Sequence, residues 1–236
     1  MSIADGVSSP TNKGWRCSAW LALAELAIVA LIFVADIRHW RHVVIFSKTL
    51  NLLALGWISL RIRGLRWKDI GLRLYRGWGR TIAIGAACGA GIEALELFVT
   101  QPLLVRWTHR WPDLSDFREL RWNFKLLPLA MLLTWTLAAF GEEMVYRGYL
   151  MNRVADLFRP KRLAWVLSLL IVSVTFGFAH LYQGMTGVME NAIDGLLLGV
   201  LYLRCDRNLS VPIVAHGVTD TIDFLLIFVG KYPGLG

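Results

Sequence analysis

Residues 136–150 read TLAAFGEEMVYRGYL, an apolar run broken by Glu142, Glu143 and Arg147. A carboxylate at the centre of a bilayer costs from about 2.5 kcal/mol to well above ~10 kcal/mol. Two adjacent acids in such a place call for a partner, a water-filled cavity or a chemical task. Arg147 lies four residues after Glu143, so the two share a helix face and can pair. Glu142 is five residues from Arg147 and points roughly 100° around the helix from Glu143. The spacing accounts for Glu143 and leaves Glu142 free.

The rest of the chain supports a membrane setting. Of 236 residues, 56% are hydrophobic and only 18% are charged, and the mean hydropathy is +0.52. Soluble domains sit near 45–50% apolar with about a quarter charged. The sequence therefore predicts one all-α, polytopic transmembrane domain over 1–236. About seven to eight transmembrane helices are expected around a polar intramembrane cavity. Apolar runs of near-span length, about 20 residues, fall near 19–36, 43–60, 81–101, 126–146, 163–182, 187–203 and 211–229.

The net charge of +8 does not indicate nucleic acid, because the basic residues collect between the runs. Arg61, Arg63, Arg66, Lys68, Arg73, Arg76 and Arg80 face a single acid, Asp69, and Arg204 and Arg207 follow the sixth run. By the positive-inside rule these loops are cytoplasmic. Lys13 and Arg16 place the N-terminus there too, and the expected location is a bacterial inner membrane. The bilayer and a membrane-associated protein or peptide substrate are the expected partners. Cys17, Cys88 and Cys205 are widely spaced, which predicts free thiols. The first fifteen residues are too polar for a cleaved signal peptide, and Trp20–Ala35 reads as a first span.

Two polar stretches interrupt the spans. Residues 61–80 alternate Arg with Leu, Trp and Tyr at helical spacing, which predicts a segment lying along the membrane surface. Residues 106–125 carry both charges and several Trp, and read as an interfacial loop with a short amphipathic turn. In the third span Glu93 and Glu96 share a face; they either line a cavity or mark the span's outer end. Gly85, Ala86 and Gly89 beside them favour close helix packing.

Downstream of the acid pair, further polar residues share faces on apolar spans. SVTFGFAHLYQG, 173–184, sets His180 four residues after Phe176, and VPIVAHGVTDTIDF, 211–224, stacks His216 over Asp220. Between them come Glu190, Asn191 and Asp194, which either enter the cavity or begin their span in water. Ionisable groups within a membrane tend to face one shared interior. There is no GxSxG and no HExxH, so neither an elbow serine nor the common helical zinc site is present. A carboxylate, two imidazoles and a further carboxyl group can activate water and stabilise an oxyanion without a covalent intermediate. Glu142 would be the base, and His180 would share the water or serve the leaving amine. His216 and Asp220 would face the oxyanion, Asp220 donating only while protonated.

Glu142-Glu143-Met-Val-Tyr-Arg147, then Phe176-Gly-Phe-Ala-His180, then His216-Gly-Val-Thr-Asp220 follow the order EExxxR, FxxxH, HxxxN or HxxxD. In this the chain resembles the CAAX protease and bacteriocin-processing (CPBP, or Abi) family over about 130–225. The resemblance implies an intramembrane endopeptidase of the glutamate type, with no cofactor and no metal. It implies that Glu142 and His180 activate water, that Glu143 and Arg147 support them, and that His216 and Asp220 form the oxyanion site. Asp220 departs from the Asn of the best-studied type, and an ionised Asp would repel an oxyanion. Two alternatives stand beside this reading. One is a zinc-dependent protease with Glu142, His180 and His216 as ligands. The other is a non-proteolytic membrane scaffold or immunity protein of the same fold. Prenylated CAAX proteins, leader peptides and sorting-signal tails are all compatible substrates.

Overall fold

The computed structural model describes residues 18–38, 47–158 and 162–235. Among them there is no strand, and seven long helices dominate. We label these α1 (Ala19–Ile37), α2 (Lys48–Ile62), α3 (Trp78–Thr108), α4 (Leu126–Leu157), α5 (Arg162–Phe178), α6 (Leu181–Arg204) and α7 (Ser210–Phe228). Five of them, α1, α3, α4, α6 and α7, are long and apolar enough to cross a membrane; α5 is apolar but shorter. The polar N-terminus, Cys17, and the basic residues Arg159 and Lys161 lie outside the described residues.

The molecule is apolar outside as well as inside. Leu23 and Leu31 on α1, Phe98 on α3, Leu132 on α4 and Leu163 and Val174 on α5 are all exposed. A water-soluble surface rarely shows apolar patches on this scale; lipid tails suit them. The protein is an integral membrane protein.

Helix packing follows the small residues. On α3, a Cβ at Gly85 would lie 2.5 Å from the Val214 side chain, and one at Gly89 would lie 2.3 Å from the Ala215 carbonyl oxygen. Only glycine lets α3 and α7 approach this closely, as its spacing on α3 predicts. Proline shapes the other end of α3. Pro102 has no N–H and its ring crowds the turn before it; over Glu96–Thr100 the helix widens to bonds spanning five residues. A longer widening runs through α4, over Thr134–Glu142 and again over Met144–Leu150. Such turns are rare and gather at functional sites.

Residues 61–80 do not keep the helical pitch that their spacing suggests. Helix α2 ends at Ile62, and a single tight turn, Trp67–Ile70, precedes α3. Gly71 adopts φ 116, and a Cβ there would meet the Arg207 carbonyl oxygen at 2.1 Å. The strand of chain after it is stitched to the α6–α7 connection: Leu209 N donates to the Gly71 carbonyl at 2.9 Å, and Asn208 Nδ2 to the Arg73 carbonyl at 2.6 Å. These tertiary bonds override the helical pattern. Residues 106–125 do contain the short turn expected, at Ser115–Leu120, and Thr108 Oγ1 and Thr186 Oγ1 tie the loop's start to α6 at 2.8 Å.

Candidate active site

Glu142, His180, His216 and Asp220 line one cavity of about 500 Å³, bounded by α3, α4, α6, α7 and the Ser115–Leu120 turn. The chain brings them together by unequal means. Helix α4 continues to Leu157, well past the expected end near 146, and so carries the acid pair at its middle. Helix α5 stops at Phe178, and His180 sits in the turn that reverses the chain into α6. His216 lies within the second turn of α7.

Glu143 is fully buried and accepts twice at one oxygen. Arg147 Nη1 donates to its Oε1 at 2.5 Å, the i, i+4 partner that the spacing predicts, and His216 Nδ1 meets the same oxygen at 2.9 Å. The second contact spans 73 residues and no local pattern announces it. Arg147 also donates through Nη2 to the Gly195 carbonyl at 3.0 Å, which ties α4 to α6. A buried charge needs this much company, because its desolvation exceeds what one partner returns.

Glu142, by contrast, is half-buried and has no hydrogen bond or ion pair to any described residue. It is the carboxylate of the pair that opens to the cavity.

The two imidazoles are oriented from behind. His180 Nδ1 lies 3.0 Å from the Phe176 carbonyl oxygen, so in the neutral ring the proton sits there and Nε2 is free toward the cavity. His216 has Nδ1 on Glu143 and Nε2 3.5 Å from Asp220 Oδ1. A charged His216 donates at both nitrogens; a neutral one leaves Nε2 as an acceptor for a protonated Asp220 or for water.

Phe176 is more than a spacing marker. Its ring lies 5.0 Å from His180, 6.0 Å from His216 and 4.8 Å from Tyr146, and the Arg147 guanidinium stacks 4.7 Å over it. One aromatic plate therefore sets both histidines and the arginine, with cation–π stacking adding about 2 kcal/mol when desolvated. The sequence quotes this Phe in its motif and assigns it no part.

Lys48 is a second omission. From the start of α2, its Nζ donates to the Ala179 carbonyl at 2.6 Å and pairs with Asp36 at 3.3 Å, which pins the turn that carries His180. It falls inside the expected 43–60 span, and the rule applied to Glu142 called for a partner there too. Glu25 is the third. It takes Arg63 and Ser59 as buried partners, with Tyr149 Oη 3.3 Å away, and locks α1 and α2 onto α4.

The acids whose place the sequence left open lie inside the bundle. Glu93 and Glu96 are buried within the bundle, not at a span's outer end. Glu190 is 3% exposed, and it lines the cavity with Asn191 and Asp194. Among the described residues no three His, Cys, Asp or Glu side chains converge as a metal's ligands would. Cys88 and Cys205 are free thiols.

Residues 124–222 match a family model described as type II CAAX prenyl endopeptidase Rce1-like. The matched stretch takes in all three motifs, and it bears out the resemblance to the CPBP family. Neither a curated protein nor a solved structure matches the chain.

Proposed function

We propose that the protein is an intramembrane endopeptidase that hydrolyses a peptide bond of a membrane-associated protein or peptide, without a metal. The observation that carries this reading is the division of the acid pair. One acid is held through its Oε1 by Arg147 and His216, and its neighbour faces a cavity in the company of a second, oriented imidazole.

In this reading Glu142 takes a proton from water and the hydroxide attacks the scissile carbonyl. His180, its Nε2 free, accepts a hydrogen bond from the same water, and the proton taken up by Glu142 then passes by way of that Nε2 to the leaving amine. Glu143 fixes the His216 ring through Nδ1, so that a charged ring offers its Nε2–H to the developing oxyanion. Asp220 turns from His216 toward the same oxygen and donates while protonated, which answers the objection that an ionised Asp would repel it. General acid–base catalysis of this kind contributes about 10²–10⁴-fold. Seven long helices would build the membrane domain, α1, α3, α4, α6 and α7 crossing it and the shorter α2 and α5 lining the cavity as partial spans. Broken or short helices are tolerated where they face protein or water and not lipid.

The family model's description points to prenylated CAAX substrates as the first probe. Purified wild-type protein in liposomes is incubated with a farnesylated CAAX peptide and with its unprenylated counterpart, and released tripeptide is measured by mass spectrometry. Release should fall at least about 100-fold in Glu142→Gln and in His180→Ala. Wild-type release by Glu142→Gln overturns the mechanism. An inert wild type, tested also on leader and anchor-tail peptides, favours the scaffold.

A further inference from the structure

Beyond the residues assigned to hydrolysis, the cavity has a two-sided lining. Helix α4 contributes an apolar wall of Leu126, Leu129, Leu133 and Leu137. Across from it α3, α6 and α7 contribute Glu96, Glu190, Asp194 and Asp223, with Glu93 buried behind against Asp223. No Lys or Arg lines this cavity among the described residues. The two beside the catalytic residues are bonded elsewhere, Arg147 to Glu143 and the Gly195 carbonyl, Lys48 to Asp36 and the Ala179 carbonyl.

Three buried atoms on residues of the cavity lining have no protein partner: Thr134 Oγ1, on a residue 2% exposed, Glu190 Oε1, on a residue 3% exposed, and Asp223 Oδ1. Thr134 stands on the apolar side and Glu190 on the acidic side. Buried polar atoms are nearly always bonded, and those that are not point to something that binds.

We propose that the acid wall is a subsite for an organic cation, the side chain of a lysine or arginine close to the scissile bond of the peptide substrate. The inference rests on the endopeptidase reading. A metal ion suits the space poorly. The carboxyls are spread along three helices, no three converge on a point, and the cavity is far larger than one ion. A basic side chain fits both walls at once, its aliphatic stem against the leucines and its head among the acids. The register follows from the helix. Asp223 lies seven residues beyond His216, about 10 Å along α7 at 1.5 Å per residue. An extended peptide advances about 3.3 Å per residue, so the cation sits within about three residues of the cleaved bond.

The test reads binding, not cleavage. Full-length protein carrying Glu142→Gln, in dodecyl maltoside, is titrated with acetylated peptide amides Leu-Leu-Xaa-Leu-Leu, where Xaa is lysine, norleucine or glutamate. The lysine peptide should bind about tenfold more tightly than the norleucine peptide, a difference of about 1.4 kcal/mol, and the glutamate peptide most weakly. In Glu190→Gln/Asp223→Asn the lysine advantage should shrink to about twofold while norleucine binding holds. Equal binding of lysine and norleucine peptides, or an advantage that survives the double substitution, overturns the proposal. Should the double variant not fold, Asp223→Asn alone must reduce the advantage, and its failure to do so counts equally against it. Hydrolysis by the wild type is a separate readout, so an inert enzyme that still prefers lysine refutes the endopeptidase reading and not the subsite.

Discussion

Replacing Glu142 and Glu143 one at a time should give opposite signatures, although the two are neighbours in the chain. Glu143 is 0% exposed and its Oε1 receives both Arg147 and His216. Glu143→Ala strands the Arg147 guanidinium with only the Gly195 carbonyl and the Phe176 ring. Removing one partner of a buried pair costs about 3–5 kcal/mol. At roughly 2–4 °C per kcal/mol for a chain of this size, the midpoint should fall by about 6–20 °C. Glu142→Gln keeps the volume and breaks no protein contact, so its midpoint should stay within about 2 °C. The assay is thermal unfolding of purified protein in detergent, followed by tryptophan fluorescence and by recovery of the monodisperse peak. Glu143→Ala combined with Arg147→Met removes the stranded charge along with its partner, and should recover part of the loss. A Glu143→Ala protein as stable as wild type, or a Glu142→Gln protein as damaged as Glu143→Ala, refutes the division of roles.

Three further outcomes are expected. Hydrolysis should persist after dialysis against EDTA and 1,10-phenanthroline; loss that zinc restores would establish the metal-dependent alternative. Phe176→Leu removes the plate beneath both histidines and Arg147, and should cost about 2 kcal/mol of stability while lowering turnover more than substrate affinity, as measured by kcat and KM. Cys205, in the connection after α6, is held above the usual thiol range by burial. Its thiolate appears only at higher pH, so in a variant retaining this cysteine alone, N-ethylmaleimide should label it more slowly than unfolded chain at pH 7.5. The gap should narrow as pH rises, and fast labelling at pH 7.5 would contradict the burial.

What the sequence disclosed of this site was whatever helix arithmetic carries. The Glu143–Arg147 pair and the His216–Asp220 stack are i, i+4 within helices of any length, and the Phe176–His180 spacing survives although His180 lies in the turn just past its helix. Contacts between helices left no such trace. Nothing local links Glu143 to His216, and the pattern therefore gave Glu143 one partner where the structure gives it two. In the first half of the chain Glu25, Lys48 and Arg63 make buried anchors. Glu25 and Lys48 stand alone in apolar sequence and Arg63 stands in a basic run, and each finds its partner on another helix. Residues 61–80 depart from helical pitch for the opposite reason. Their local pattern was clear, and the bonds of Gly71 and Arg73 to the α6–α7 connection prevailed over it.

The widened turns of α4 bear on how the two ends of the cavity are kept in phase. Upstream, this helix presents the leucine wall and Thr134; downstream, it presents Glu142 toward the cavity and Glu143 toward its partners. Each residue added to or removed from an α-helix turns everything beyond it by about 100°. The broad turns over Thr134–Glu142 set the angle between the surface that would grip a substrate and the carboxylate that would cut it. Helix α4 then behaves as a keyed shaft. Deleting Ala138 or Ala139 should leave its length almost unaltered and yet swing the leucine wall away from the acids.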